Sequence, residues 1–541
     1  MAQYQPFLIS DFKTGKFIGL EPWLLPQDAF PTLINARVNK GVLEKRYGMS
    51  VYAQMKHGST LQTTTSITGI KTYLKKGMPQ LLVMDTKRVN RYNPVDGTMT
   101  DIAGSDIFTG RAIDFFHFAN WLGVGYMVNN VDQIYQYNGQ DNVSVFNYQI
   151  DSTDAKTNHL DTCRFIFTID DRFCFLDTVE FGAWYPNRFR YSPVLSTDGT
   201  AAGAGYVDCP IDERICAAGI VNNQIIVFME GAVGGSVWRI KSTGNSDIPY
   251  EWERIKNNEM CNAPYSGVEF KDGLGVVGLT SILFYDGFEI KGLDIPNIRD
   301  VLDEFSTALI RYTYGYYQKE KGRILWTFAV LGGTVPNRIL EYNIIENNWT
   351  VHKSEQTFFV NCIGGFNNQK VPTWLEADDV YTGADGALMS AMDIDSREIL
   401  GSPYPVTLVG CRNSRVYKWD NGSYDGTDDT SGKIELDIQS AKWNPFVKEG
   451  KKASLEKIQF YVDHDVNASF TVSFYKDMDT TAWRERVVSC NLTEGKPFIT
   501  VYADGEVGNF HKIKISHTEK ANRPRIHAIM PFFAPETSVD F

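Results

Sequence analysis

The sequence lacks the features that mark membrane and secreted proteins. Its longest apolar runs, such as Gln224–Met229, have the length of a strand, far below the roughly 20 residues of a membrane-spanning helix. The first residues carry no basic region followed by an apolar region, so we expect neither a secretion signal nor a membrane span. The eight cysteines contain no C-x-x-C pair, which predicts buried free thiols in a protein made in a reducing cytosol.

Motifs of catalysis and cofactor binding are also scarce. There is no Walker A sequence, no G-x-S-x-G turn and no H-E-x-x-H zinc motif. Gly273–Gly278 matches G-x-G-x-x-G, but the pattern after it predicts a strand instead of a helix, so we assign these glycines to a sheet. Asp477 and Asp479 have the spacing of a carboxylate pair, which also arises by chance in an acidic chain. The sequence therefore predicts no enzyme, no cofactor and no metal site.

The composition describes a large folded chain with an acidic balance. Among 541 residues, 53 are basic and 65 are acidic, which gives a formal net charge of −12. Hydrophobic residues make up 43% and aromatic residues 13%, enough to build an extensive core. A negative balance is atypical of nucleic-acid binders, which present a basic face. It does not exclude a protein that lets DNA pass without binding it.

Short runs of alternating apolar and polar residues predict β-strands along the chain. Several segments repeat a strand, an aromatic residue and a turn, with the aromatic at Tyr92, Tyr137, Trp238, Tyr285, Tyr342 and Trp419. A degenerate period of about 45–50 residues is typical of β-propeller blades. We predict an all-β fold, a β-propeller of five to seven blades, in which these aromatics lie near each third strand and pack between blades. A β-sandwich array remains the alternative.

A change of pattern near residue 432 divides the predicted domains. A linker rich in Gly and Asp precedes Lys433, and the strands beyond it alternate more cleanly. We predict an N-terminal arm over 1–55, the propeller over 56–432 and a C-terminal antiparallel β-sandwich or platform module over 433–541. Apolar residues at helical spacing predict one short helix over 297–310.

The negative charge is concentrated in one segment. Residues 433–541 hold 15 basic and 15 acidic residues, so the whole net charge lies before them. Glu376–Asp429 holds eleven acids against four bases. Its acids are candidates for a surface that repels phosphate: Asp378, Asp379, Asp385, Asp425, Asp428 and Asp429. Plain solvated loops are the alternative, and a calcium site is disfavoured because the EF-hand spacing is absent.

The N-terminal region contains a distinctive pattern. Its elements LP…N…G-x-L-x-x-R-x-G fall on Leu25, Pro26, Asn35, Gly41, Leu43, Arg46 and Gly48. Followed by a propeller, this pattern resembles the tail hub or nozzle proteins of short-tailed bacteriophages (podoviruses). These are the packaged-DNA stabilisation proteins of P22-like phages and, more distantly, the tail tubular protein B group. The segment Tyr185–Pro193 and the end of the terminal module, Ile526–Phe532, are similar to the same family.

The resemblance implies a structural virion protein. Such proteins form a homo-oligomeric ring, a hexamer, below the portal and the head-to-tail adaptor, and they support tail spikes or fibres. The ring extends the channel for double-stranded DNA, retains the packaged DNA and lets it pass on ejection without specific binding. The protein would act in the virion tail after synthesis in the bacterial cytoplasm. On this hypothesis the six aspartates face the channel, because basic residues there would bind phosphates and slow the DNA.

Two other functions remain open from the sequence. The first is a propeller that binds a receptor or a carbohydrate, with or without degrading glycan, for which exposed aromatics and paired acids are the supporting features. The second is a cellular propeller scaffold that binds a peptide.

Overall fold

The computed structural model describes residues 4–75, 78–94, 96–150, 159–231, 234–294, 296–298, 301–353, 359–367, 405–426, 432–465, 467–492, 497–518 and 523–536. These residues form strands and a few short 3-10 turns. None of the helical segments among them has the length and apolarity that crossing a membrane requires. The chain divides into two compact units. Unit 1 comprises residues 1–50, 266–359 and 420–541, and unit 2 comprises residues 51–265 and 360–419.

Unit 2 consists of small sheets whose strands follow one another in sequence, the arrangement of propeller blades. Sheet 1 comprises Ile67–Lys75, Met78–Asp85, Val89–Asn93 and Thr98–Asp101; sheet 2 comprises His117–Trp121, Val124–Val128, Tyr135–Tyr137 and Ser144–Val145. Sheet 3 comprises Tyr148–Gln149, His159–Ile169, Arg172–Glu180, Ala183–Tyr191 and Gly205–Asp208; sheet 4 comprises Arg214–Val221, Gln224–Glu230, Ser236–Ser242 and Tyr250–Asn257. Sheet 7 comprises Val360–Phe366, Val406–Cys411, Arg415–Trp419 and Met49–Gln54, and a separate hairpin pairs Lys56–His57 with Thr60–Leu61.

Unit 1 contains one further sheet of the same kind, sheet 5, and a nine-stranded sheet whose first four strands we call sheet 6. Sheet 5 comprises Val268–Phe270, Gly273–Val277, Ile282–Tyr285 and Ile290–Gly292. Sheet 6 comprises Gly315–Gln318, Arg323–Phe328, Arg338–Asn343 and Asn348–Lys353, with a 3-10 turn at Lys319–Lys321. The described residues thus hold six separate blade-like sheets, because sheet 6 is part of a nine-stranded sheet. Gly273–Val277 forms the second strand of sheet 5, in line with the prediction that these glycines belong to a sheet.

The C-terminal module of unit 1 is a two-layered β-structure. One layer continues sheet 6 through Thr32–Ile34, Leu436–Gln439, His511–His517, Ser469–Lys476 and Arg484–Ser489. The other comprises Phe498–Gly508, Lys452–Val462, Arg525–Glu536, Val42–Lys45 and Ala36–Asn39, with Gln5–Pro6 and Ile9–Ser10 paired to its third strand. Gly15–Lys16 pairs with Ala29–Phe30, and a 3-10 turn spans Val447–Glu449. Apolar side chains of both layers share one core, which includes Leu33, Phe460, Phe470 and Phe533.

The predicted fold class is confirmed. The chain is all-β, with a β-propeller and a C-terminal β-sandwich-like module. Each of the six repeated aromatics lies on or at the end of the third strand of its sheet. Five of them are buried, and Tyr92 is partly buried. Residues two apart on a strand point to the same face of the sheet. In a propeller, a face of each blade is covered by a neighbouring blade, so an aromatic side chain on that face of the third strand is buried.

Residues 4–45 pair and pack with the C-terminal module instead of forming an arm of their own. Strand Thr32–Ile34 pairs with Leu436–Gln439, and Val42–Lys45 pairs with the beginning of Arg525–Glu536. These partners are about four to five hundred residues apart, and no local pattern in a sequence reports such a pairing.

The helix predicted over 297–310 is absent among the described residues of this segment. They form two 3-10 turns instead, Val301–Glu304 and Thr307–Tyr312. The break between the turns has a tertiary cause. Phe305 stacks on Phe328 with ring centroids 4.2 Å apart, and the backbone N–H of Ser306 donates to Ala329 at 2.8 Å. The N–H of Ser306 is therefore used in a tertiary hydrogen bond and is not available to continue a helix.

The prediction of buried free thiols is confirmed. All eight cysteines are buried and none forms a disulfide. Burial raises the pKa of the Cys209 thiol to about 12 and that of Cys490 to about 11, so these side chains behave as small apolar groups.

Candidate functional site: a strained aspartate on sheet 3

The six aspartates proposed to face a DNA channel fall mostly outside the described residues. Asp378, Asp379, Asp385, Asp428 and Asp429 lie there, so the channel-facing role stays a prediction for them. Asp425 is described and is fully buried. It accepts hydrogen bonds from the two terminal nitrogens of Arg46 at 2.8 and 2.5 Å. Its charge is therefore neutralised inside unit 1 and is not presented to solvent.

Arg46 is the centre of an interlocked group formed by the N-terminal pattern. Its Nε–H donates to Asn35 at 2.9 Å, and one terminal nitrogen donates to the carbonyl of Lys353 at 3.1 Å. The side-chain amide of Asn35 donates in turn to the carbonyl of Glu435 at 2.7 Å. Gly48 is equally constrained, since a Cβ there would lie 2.0 Å from the carbonyl oxygen of Tyr424. The residues of this pattern therefore have structural roles within unit 1.

A second buried ion network in unit 1 surrounds Glu341. This carboxylate accepts hydrogen bonds from Arg37 at 2.9 and 2.7 Å and contacts His352 at 2.9 Å. Arg37 also binds Asp420, which directly follows the strand Arg415–Trp419. Burial would raise the pKa of Glu341, but the charges of Arg37 and Arg323 outweigh it and hold that pKa well below its usual value.

The strongest candidate for a functional site lies on sheet 3 of unit 2, at Asp177. The register of its strand pairs Leu176 with Phe189 and Thr178 with Tyr185, so Asp177 forms a bulge opposite three residues. Pro186 lies in this stretch and has no N–H to complete the ladder. Asp177 adopts φ 54°, a left-handed conformation that is costly for a residue other than glycine.

Three side chains hold the carboxylate of Asp177. The Nε of Arg164 lies 2.8 Å from its Oδ2, and the Nε of Arg214 lies 3.5 Å from the same atom. The indole N–H of Trp184 donates to Oδ1 at 2.6 Å. Strand register explains the first contact, because Cys163 and Phe165 pair with Thr178 and Leu176 and so set Arg164 opposite Asp177. We call Asp177, Arg164, Trp184 and Arg214 the Asp177 site.

Burial determines the acid–base behaviour of Asp177. The loss of hydration raises the pKa of its carboxyl to about 6, although the charge of Arg164 and the hydrogen bond from Trp184 act against the increase. A carboxyl that titrates near neutral pH in a strained backbone conformation is typical of functional sites. Both features coincide here on one residue.

The Asp177 site reaches the surface through Trp184 and Arg214. Asp177 and Arg164 are buried, whereas Trp184 is 50% exposed. The guanidinium of Arg214 lies over the indole, 4.7 Å from the ring centroid. The charged groups of Asp177 and Arg164 are therefore buried, whereas the indole of Trp184 and the guanidinium of Arg214 form the part of the site near the surface.

A second cluster occupies the other face of the same strands. Arg188 lies 3.8 Å from the ring centroids of both Tyr185 and Tyr206. Glu180 accepts hydrogen bonds from Arg188 at 2.9 Å and from Arg190 at 2.8 and 2.7 Å, so these charges are paired. Tyr185, Arg188 and Arg190 of this cluster belong to the segment Tyr185–Pro193.

Sequence reasoning missed the Asp177 site. The available signal was a charge inside an apolar run, in Cys163-Arg-Phe-Ile-Phe and in Phe175-Leu-Asp-Thr-Val. A charged side chain on a buried strand needs a partner of opposite charge. Arg164 and Asp177 therefore each predict that such a partner exists elsewhere in the fold. Within the described ranges, no group of three or more histidine, cysteine, aspartate or glutamate side chains is arranged to hold a metal ion.

Comparisons with known proteins identify no family for this chain. No family model matches it. No curated protein matches it either. Solved structures do match, and the similarity is one of fold. An exo-β-1,3-galactanase from Phanerochaete chrysosporium has 9% identity and a TM-score of 0.26, and the match covers 80% of this chain and 98% of that one.

Two further solved structures share this level of similarity. A gluconolactonase from Xanthomonas campestris has 10% identity and a TM-score of 0.31, with 57% of this chain and 96% of that one covered. YCF48 from Cyanidioschyzon merolae has 12% identity and a TM-score of 0.32, with 50% of this chain and 95% of that one covered.

The prediction that the chain is not an enzyme is corrected. It rested on missing sequence motifs, and two of the matched structures, the galactanase and the gluconolactonase, are enzymes. Short motifs report catalytic groups that lie close together in sequence. On a propeller, groups from different strands and blades can converge without leaving such a motif.

Proposed function

We propose that the protein is a carbohydrate-binding β-propeller that binds its glycan at the Asp177 site. The observation that carries this proposal is a half-exposed indole held in place by a buried carboxylate. Trp184 donates to Asp177 at 2.6 Å while half of the residue stays exposed. A ring fixed in this way offers a preformed surface, so little side-chain freedom is lost on binding.

The chemistry of the site suits a sugar ring. Small-molecule sites combine an aromatic or apolar surface with a few placed polar groups. A pyranose has C–H groups that form an apolar face and hydroxyls that accept and donate hydrogen bonds. Trp184 provides the aromatic surface and Arg214 provides donors beside it.

Asp177 bears on whether a bound glycan is also cleaved. A carboxyl with a pKa of about 6 keeps its proton at a pH where an ordinary aspartate has lost it. Proton donation by such a carboxyl to the leaving oxygen is one half of glycoside hydrolysis. Tests of this proposal therefore measure glycan cleavage together with binding.

The replacement Trp184→Ala is expected to weaken glycan binding at least about tenfold, because it removes the aromatic contact surface. Binding is first located on an array of neutral and acidic oligosaccharides. The affinity of the best ligand is then measured by calorimetry, and release of reducing ends is followed in the same samples.

The matched control is Trp23→Ala in unit 1. Trp23 is also a partly exposed tryptophan, 40% exposed, with the ammonium of Lys442 5.8 Å from its ring centroid. Trp23→Ala should leave the affinity for the glycan unchanged. Equal losses in both variants, or no glycan bound by the unmodified protein, would contradict the proposal.

We propose as a second candidate the tail nozzle or hub of a short-tailed bacteriophage. Support comes from the N-terminal pattern that resembles this family, whose Asn35, Arg46 and Gly48 all have specific structural roles in unit 1.

The nozzle proposal predicts a closed ring of identical subunits. Electron microscopy of the purified full chain should then show sixfold particles, and the gene should lie beside portal, adaptor and terminase genes. A monomer at micromolar concentration, encoded away from such genes, would count against it.

A further inference from the structure

We infer that the glycan bound at the Asp177 site is a chain of sugar residues, and that Phe181 binds the residue next to the one on Trp184. This inference rests on the proposed carbohydrate-binding function and specifies the length of its ligand. Phe181 and Trp184 belong to one hairpin of sheet 3, where they contact consecutive rings of an oligosaccharide or polysaccharide.

The backbone conformation of Phe181 is unusual for an aromatic residue. The strand register pairs Glu180 with Ala183, so Phe181 and Gly182 form a two-residue hairpin loop. Their φ angles are 54° and 72°, both positive, as a type I′ turn requires. Asparagine, aspartate and glycine adopt this conformation readily, whereas it is strained for a bulky side chain. Phe181 therefore occupies a position for which the backbone favours a different residue.

Two further two-residue loops of unit 2 show the residues that this turn prefers. Asp170 and Asp171 form such a loop on sheet 3, and Asn222 and Asn223 form one on sheet 4, with φ angles between 49° and 57°. Phe181 is not placed in its loop by core packing, because it is 52% exposed. A strained and exposed aromatic residue indicates a role in binding rather than in folding.

Phe181 lies close to Trp184 along the hairpin. The register pairs Trp184 with Val179, and Phe181 follows Val179 by two residues. At a strand rise of about 3.3 Å per residue, the loop lies roughly 7 Å beyond the level of Trp184. Neighbouring rings of a sugar chain follow one another at a comparable repeat. Both aromatic side chains are about half exposed, so each offers a surface to the apolar face of one ring.

The loop that carries Phe181 is fixed to the adjacent strand. The backbone N–H of Gly182 donates to Oδ2 of Asp161 at 2.7 Å. Asp161 lies in a bulge of that strand, between the residues that pair with Glu180 and Val179. Its carboxylate therefore reaches the turn itself. A loop held in this way loses little freedom when a ligand binds.

The test measures affinity against the length of the sugar chain. Cello-, galacto- and N-acetylchito-oligosaccharides of one to four residues are titrated by calorimetry against the full chain. In a series that binds, we expect the affinity to rise about tenfold or more from the monosaccharide to the trisaccharide. Phe181→Asn removes the aromatic surface and keeps the turn. It should abolish this rise and leave the affinity for the monosaccharide, which depends on Trp184, unchanged.

The matched control is Leu122→Asn on sheet 2. Leu122 and Gly123 form a two-residue loop with φ angles of 49° and 78°, and Leu122 is 59% exposed. Leu122→Asn should keep the rise in affinity with chain length. Both variants place asparagine at a position that favours it, so the midpoint of urea unfolding should stay the same or increase in each. A loss of affinity in Phe181→Asn is then separated from a loss of folding.

The outcomes separate the inference from the proposed function. An affinity independent of chain length, or a rise that persists in Phe181→Asn, would overturn the inference and leave Trp184-dependent binding in place. An equal loss for one and for four sugar residues in Phe181→Asn would also overturn it, because Phe181 would then contact the same ring as Trp184. Failure to bind any sugar, in these series or on the array, would overturn both.

Discussion

Replacing Arg46 with methionine is expected to lower the free energy of unfolding by about 3–5 kcal/mol, because it leaves Asp425 as an unpaired buried charge. Arg46 and Asp425 are 1% and 0% exposed and are joined by hydrogen bonds of 2.8 and 2.5 Å. Arg46 also donates hydrogen bonds to the side chain of Asn35 and the carbonyl of Lys353. The variant therefore removes the donor of both acceptors as well as the partner of Asp425. Urea unfolding followed by circular dichroism measures the change.

Two companion variants make this result specific. The double replacement Arg46→Met with Asp425→Leu should recover much of the loss, because two apolar side chains of suitable size leave no charge unpaired. Lys291→Ala breaks the exposed ion pair with Asp286. This variant should leave the midpoint of urea unfolding unchanged. A loss in Arg46→Met no larger than in Lys291→Ala would refute a structural role for the N-terminal pattern.

Glu341→Gln is expected to destabilise the protein by about 3 kcal/mol at pH 7, because a neutral amide cannot balance the buried Arg37 and Arg323. Glu341 is 2% exposed and is the acceptor shared by Arg37 and His352. The matched control is Glu449→Gln, which removes the acid of the exposed pair with Lys451 and should have no measurable effect.

The effect of Glu341→Gln should depend on pH in a defined direction. The pKa of Glu341 is held well below its ordinary value of 4.5, so the carboxylate contributes its full stabilisation above about pH 4.5. That contribution is lost as the pH falls through the lower pKa of the folded state. The difference between the variant and the unmodified protein should therefore shrink in acid. A difference that stays constant from pH 7 to pH 3 would show that the charge of Glu341 is not the cause.

Local patterns were sufficient to predict the class of fold. Tyr137, Trp238 and Tyr285 mark their repeats because a third strand and its turn are built from neighbouring residues. The same dependence on neighbours explains where prediction failed. Residues 297–310 have helical spacing, but the stacking of Phe305 on Phe328 decides their conformation, and that contact comes from another strand.

The candidate site could not be predicted from the sequence in the same way. Asp177, Trp184 and Arg214 come from three strands of two sheets, and a bulge opposite Pro186 sets the direction of the carboxylate. Each residue is unremarkable in its own segment. Only the cross-strand register brings two guanidinium groups to one buried carboxylate.

By itself, the sequence determined that this protein is all-β, that its aromatics repeat along propeller strands and that a sandwich-like module ends the chain. Strand alternation and turns are properties of adjacent residues, and they survive in the sequence as patterns. The tertiary structure alone decided which charges are buried. The net charge of −12 counts Asp425 as an acid like any other, although Arg46, 379 residues away along the chain, neutralises it inside the fold. The partner of a charge is fixed by packing between distant segments, and composition cannot record it.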